Sequence, residues 1–180
     1  MSTDRPITKL GYSEYVLFPN DGKRHEVING DHFMNPAPGT YHQTISKRLY
    51  LALDSGIERE GLGEVFYAPC DVQLGEHDIV QPDLLVVLNN SAARITPSRV
   101  IGAPDLLIEI LSPSTASNDR TLKRSVYERS GVREYWVVDP DGHSITQLTE
   151  VDGKYVEQQR NKEIHVAIVP QLKISLESIW

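Results

Sequence analysis

Leu106-Leu107-Ile108-Glu109-Ile110-Leu111 decides how this chain is read, because a single acid stands inside an otherwise apolar run. Such a run fits a strand covered on both faces, as in a mixed or parallel sheet sandwiched by helices. With the two-residue period of a strand, Glu109 shares a face with Leu107 and Leu111. Burying an ionised carboxylate costs several kcal/mol unless something positive meets it. Glu109 therefore calls for a cation or a basic partner, and a buried salt bridge to an arginine is the purely structural alternative.

Working outward, Leu84 to Leu88 is a second apolar run, and Asp83 follows Pro82 at its mouth. Alone, Asp83 reads as a turn residue. If its strand lies beside that of Glu109, two carboxylates converge, and their hard oxygens suit Mg²⁺, which needs only one or two protein carboxylates. Pro104-Asp105 lies too close to Glu109 in the same strand to face it. Glu64 to Leu74 reads as a further strand, with Cys70, Val72 and Leu74 alternating, and Tyr135 to Val138 as another. Asp141-Gly142 and Asp152-Gly153 punctuate a meander from Ile145 to Gln159, and Ile164 to Trp180 is a strand-like tail.

A short amphipathic segment over Thr8 to Phe18 ends at Pro19-Asn20-Asp21-Gly22. Arg24 to Ile28, Asn29-Gly30 and Asp31 to Met34 then form a hairpin signal, since Asn and Gly tolerate the positive φ of a type I′ turn. Glu26 falls mid-strand, opposite Phe33, with its face unfixed: ligand and surface readings both stand. Asn35-Pro36-Ala37-Pro38-Gly39 breaks the strand. Ile45, Leu49, Leu53 and Ile57 then mark one face of a helix from Tyr41 to about Arg59, closing at Gly61 or Gly63. His42 lies on that face in the first turn, as a core, capping or catalytic group. Ser117 to Ser130 reads as a second helix, with Leu122 and Val126 inward and Gly131 as terminator. Lys123 stacks there with Asp119 and Tyr127, four residues to either side, where an exposed Asp119–Lys123 pair is the plain alternative. Ser112-Pro113-Ser114-Thr115 before it could cap the helix or hold a phosphate.

Composition narrows the class. With 180 residues, 39% hydrophobic and 24% charged, the chain suits one globular domain with a sizeable core. A lone cysteine, Cys70, excludes an internal disulfide and a Cys-rich zinc site and points to the cytoplasm. Met1 to Leu10 has no apolar signal core, and no stretch reaches the ~18 apolar residues of a membrane span. A net charge of −7 argues against coating nucleic acid by bulk positive charge, although Lys47-Arg48 and Arg120 to Arg133 gather basic residues. Phosphate-loop, serine-hydrolase and dinucleotide signatures are absent, and no two histidines have zinc-ligand spacing.

In order, the elements are helix, three strands, helix, strand, with an acid starting the second strand and another inside the third. This resembles the PD-(D/E)XK nuclease core. His25-Glu26-Val27-Ile28-Asn29-Gly30, Ala68-Pro69, Gln81-Pro82-Asp83-Leu84, the block Gly102 to Thr115, and Gly131 to Asp139 more closely resemble the Uma-two family of restriction-endonuclease-like proteins. The resemblance covers nearly the whole chain, and the Gly102 to Thr115 block is its specific part. It implies an α/β fold in a single domain spanning residues 1–180. The expected architecture is a mixed β-sheet flanked by helices, with an N-terminal hairpin and a C-terminal meander. It further implies a phosphodiesterase dependent on Mg²⁺ or Mn²⁺, with Asp83 and Glu109 as ligands and Glu26 as a further acid.

The superfamily's lysine is expected two residues after the acid, where this chain has Leu111. Similar families move it to the following helix, and Lys123 is the matching position, with His42, Asp119 and Tyr127 as additional candidates. The implied mechanism has Mg²⁺ polarise the phosphodiester while Lys123 orients water and offsets transition-state charge. DNA is the expected polymer by resemblance alone. Two other functions compete: a catalytically silent nucleic-acid-binding or assembly module, and a metal-dependent hydrolase of some other phosphoester. The apolar tail Ile174 to Trp180 suggests a homodimer.

Overall fold

The computed structural model describes residues 9–112 and 119–180, the side chains of residues 119 and 120 excepted. Along the chain run α1 (Tyr12–Tyr15), β1 (Arg24–Ile28), β2 (Asp31–Asn35), α2 (Thr40–Leu53), β3 (Gly63–Tyr67), β4 (Val72–Gly75), β5 (Asp78–Val80) and β6 (Leu84–Leu88). There follow β7 (Arg94–Ile95), β8 (Val100–Ile101), β9 (Leu106–Ile110), α3 (Arg124–Ser130), β10 (Glu134–Asp139), β11 (Ser144–Val151), β12 (Lys154–Arg160), β13 (Glu163–His165) and β14 (Lys173–Ser175). A main six-stranded sheet has the order β12-β11-β10-β9-β6-β3, and a second has the order β2-β1-β5-β4-β8-β7. In the main sheet β9 and β10 run parallel while their neighbours pair antiparallel, so the sheet is mixed.

Local chemistry explains most boundaries. Asn29 and Gly30 both take positive φ, 56° and 85°, as a type I′ hairpin turn requires. The first long helix is α2, and it continues through a π turn at Asp54–Glu58. The second consists of a π turn at Asp119–Lys123 running into α3, which Gly131 ends in the left-handed conformation at φ 81°. Residues 113–118, including the expected cap or phosphate site at Pro113-Ser114-Thr115, lie outside the described residues.

One expectation is corrected. Glu64 to Leu74 is two strands, β3 in the main sheet and β4 in the second. Pro69 between them has no N–H to give a ladder, so the run is interrupted where the chain changes sheets.

All five residues of β6 and of β9 are buried, because each face of the main sheet is covered. On one side Leu84, Val86, Ile108 and Trp136 pack with Ile45, Leu49 and Leu53 of α2 and with the tail residues Ile164, Val166, Ile174 and Leu176. On the other, Leu85, Val87, Leu107 and Tyr135 pack with Ile28, Val72 and Val80 of the second sheet and with Val126 and Tyr127 of α3. The apolar tail that suggested a subunit interface is thus packed inside the chain's own core. Glu134, fully buried, ties it down by accepting the Ile168 N–H at 3.0 Å, beside bonds from Trp136 and Gln147. Among the described residues no helix is long and apolar enough to cross a membrane.

Candidate active site

The strand register brings the two motif acids together. β6 pairs antiparallel with β9 through Leu84↔Ile108 and Leu85↔Leu107. One step further sets Asp83 opposite Glu109, on the face of Leu85 and Leu107 that meets the second sheet, and opposed Cβ atoms in such pairs lie about 4.5–5.5 Å apart. The Ile110 N–H donates to Asp83 Oδ2 at 2.8 Å and fixes that carboxylate against β9.

β1 supplies the facing wall. Ile28 belongs to the core between the sheets, so by the strand period Glu26 and Arg24 point the same way. The open question about Glu26 is settled inward: it is buried and accepts hydrogen bonds from Asn35 Nδ2 and the Gln81 N–H, each at 2.7 Å. Lys123, only 3% exposed, bridges the acids, with Nζ 2.9 Å from Glu109 Oε1 and 3.0 Å from Glu26 Oε1. The exposed surface pair is therefore not the environment of Lys123, and the side chain of Asp119 lies outside the described residues. Tyr127, one turn along α3, donates its hydroxyl to the same Glu109 oxygen at 2.7 Å. His42 Nε2 lies 3.0 Å from Asp83 Oδ2, so from the first turn of α2 it joins the same cluster.

Six of the seven residues singled out from sequence thus meet in one cluster. Arg24, Asn35 and Gln81 were missed. Arg24 donates from Nη1 to Asp83 Oδ1 at 2.6 Å. Its signal was its position two residues before Glu26 on one strand face, and Gln81 stands in the same relation to Asp83. Asp105, set aside from sequence, serves structure instead: it accepts the Leu88 N–H at 2.9 Å and pairs with Arg133 at 3.2 Å.

Electrostatics follow from this packing. Burial pushes the Asp83 carboxyl up, but the His42 hydrogen bond and the Arg24 charge outweigh it and hold the pKa below the ordinary Asp value. Burial likewise opposes the charge on Arg24, and Asp83 and Glu109 overcome it, so its pKa rises. Tyr127 is pushed well above the usual phenol value by burial first and by the Glu109 charge second, so it is a neutral donor.

Asp83, Arg24 and His42 line a cavity of about 750 Å³, together with Gln81, Lys23 and Lys47. Arg24 Nε, His42 Nδ1 and Gln81 Oε1 are buried without a hydrogen-bond partner. The orientation of the Gln81 amide is locked, because its Nε2 donates to the acceptor-only Asp71 carboxylate at 2.7 Å and to the Tyr15 hydroxyl at 2.9 Å. The donor set fits a hard divalent cation. Three carboxylates face two side-chain cations, which leaves one negative charge, and Asp83, Glu109 and the unpartnered Gln81 oxygen are oxygen donors. Among the described residues no group of three or more His, Cys, Asp or Glu is placed to hold a metal ion.

A mixed sheet with two opposed acids at the mouth of a strand, and a lysine from the next helical segment paired with one of them, defines a restriction-endonuclease-like α/β protein. The chain belongs to the Uma2 family, whose model, described as "Putative restriction endonuclease", matches residues 12–177. Its fold is similar to that in a crystal structure of "a putative nuclease belonging to DUF820" from Anabaena variabilis, with a TM-score of 0.79. That similarity spans 94% of this chain and 97% of the other at 20% sequence identity, and it is a likeness of fold. No curated protein matches the chain.

Proposed function

We propose that the chain is a nuclease that hydrolyses phosphodiester bonds in DNA with Mg²⁺ or Mn²⁺ held by Asp83 and Glu109. The observation that supports this reading most is Lys123 Nζ, buried between Glu109 and Glu26 at 2.9 and 3.0 Å although no lysine stands two residues after the acid. When bound, the cation supplies Lewis-acid stabilisation of the phosphoryl oxygens and eases ionisation of water. The chain's residues do the rest. Arg24, His42 and the Ile110 N–H orient Asp83, while Tyr127 and Lys123 orient Glu109. The Lys123 ammonium offers fixed positive charge where negative charge develops. Lys23 and Lys47 give the cavity wall cations for the polymer's phosphates, a local exception to the chain's charge of −7.

A second reading, a catalytically silent module, is favoured by the short Arg24–Asp83 contact of 2.6 Å, since Asp83 already has Arg24 as its cation while Glu109 and Glu26 share Lys123. A metal titration separates the two. Mg²⁺ or Mn²⁺ should raise the melting temperature of the wild type by binding the folded state, and should not raise that of Asp83→Asn. Plasmid, linear duplex and single-stranded DNA, with RNA alongside, are incubated with Mn²⁺. Cleavage that Glu109→Gln abolishes supports the nuclease; equal thermal shifts in both proteins and no cleavage support the silent module.

A further inference from the structure

We infer that the cavity beside Asp83 takes an unpaired base of a single DNA strand, with Tyr67 as the platform on which it stacks. This rests on the nuclease reading and names its substrate class. Tyr67 ends β3 directly opposite Leu84, the residue after Asp83, and the next residue, Ala68, donates its N–H to the Asp83 carbonyl at 3.0 Å. By the strand period the ring lies on the α2 face with Leu84 while Asp83 lies on the other face, and the two meet only as walls of the one cavity. Tyr67 lines the cavity and is 61% exposed, so aromatic surface is open to a ligand there.

Its orientation is fixed. Tyr50 of α2 meets the ring edge-on, with centroids 5.2 Å apart and planes at 84°. Along α2 the residues Gln43, Ser46, Lys47 and Tyr50 follow at i, i+3, i+4 and i+7, so one polar stripe of the helix forms the cavity wall. Aromatic surface and phosphate-binding cations therefore share one concavity of about 750 Å³, within the range of pockets that hold single small molecules. The buried unpartnered atoms in the same wall add a donor at Arg24 Nε and an acceptor at Gln81 Oε1. In a duplex both faces of each base are covered by the stack, so Tyr67 has nothing to meet. An unpaired base has a free face, and any base has one, so this contact selects strand state rather than sequence.

The test measures fluorescence anisotropy with a labelled single-stranded oligonucleotide and its duplex, in EDTA so that nothing is cut, and in parallel cleavage of both with Mn²⁺. The single strand should bind at least tenfold more tightly than the duplex. Tyr67→Ala should weaken that binding about tenfold, which is about 1.4 kcal/mol, and Tyr67→Phe should restore it. Equal binding of the two forms, no binding of either, or a Tyr67→Ala protein that binds as the wild type does would overturn the inference. Cleavage indifferent to Tyr67 rejects the platform and leaves the nuclease reading standing. Single-strand binding that depends on Tyr67 without cleavage under any metal supports the platform and rejects the nuclease reading.

Discussion

Replacing Lys123 by methionine keeps an unbranched side chain, one atom shorter, and removes its charge. Glu109 and Glu26, 2% and 1% exposed, then face each other without the ammonium that lay 2.9 and 3.0 Å from them. Removing one partner of a buried ion pair costs about 3–5 kcal/mol, and here two acids lose the same partner. At about 2–4 °C per kcal/mol for a chain of this size, the melting temperature should fall by about 6–20 °C. Urea unfolding should show a lower midpoint with an unchanged slope, since the surface exposed on unfolding is the same. Adding Glu26→Gln and Glu109→Gln to Lys123→Met should recover most of the loss, because all three charges are then gone. A Lys123→Met protein within about 1 kcal/mol of the wild type, the range of an exposed pair, would refute the reasoning.

Two further perturbations probe the same cluster. Because its pKa is lowered on folding, Asp83 contributes stability that is fully present above the ordinary Asp value of about 3.9 and is lost as pH falls below it; Asp83→Asn should therefore flatten the acid limb of a stability–pH curve below about pH 4. Tyr127→Phe keeps the ring and deletes a hydrogen bond to a buried carboxylate, so urea unfolding should show a loss of about 1.5–3 kcal/mol. In alkali the folded state favours the neutral form of Tyr127, Tyr15 and Tyr155, all raised chiefly by burial. Their stabilisation is present below pH 10 and fades above it, so phenolate absorbance at these three should appear only as the protein unfolds.

Much of this was legible because the signals are local. A lone acid in an apolar run, an Asn-Gly turn and a four-residue apolar repeat each report on a few neighbours, and they located β9, the first hairpin and α2. Lys123 was legible from helix phase, since it stands one turn before Tyr127 and beside the inward Leu122 and Val126. Long-range pairing was not legible. β1 docks on β5 through the long-range pairing Val27↔Ile79, which helps to turn Glu26 and Arg24 toward β6. Arg24 and Asp83 are 59 residues apart, with nothing in either neighbourhood that names the other. The change of sheets at Pro69 was hidden for the opposite reason: apolar alternation continues past the break, and alternation does not say which sheet a strand joins.

Glu134 and the segment from Ile164 to Ile179 have a consequence for synthesis. A ribosome makes Trp136, Val138 and Ile145 well before Ile164, Val166, Ile174 and Leu176, which share their core cluster. In the interval part of the α2 side of the main sheet lacks its cover, and Glu134 lacks the Ile168 N–H. Every candidate site residue has by then been translated, yet β9 and β10, the parallel pair that carries Glu109, still lie in an unfinished layer. A nascent chain therefore holds the chemistry before it holds the framework, and a product truncated before residue 164 would present that uncovered sheet face to aggregation instead of a working centre.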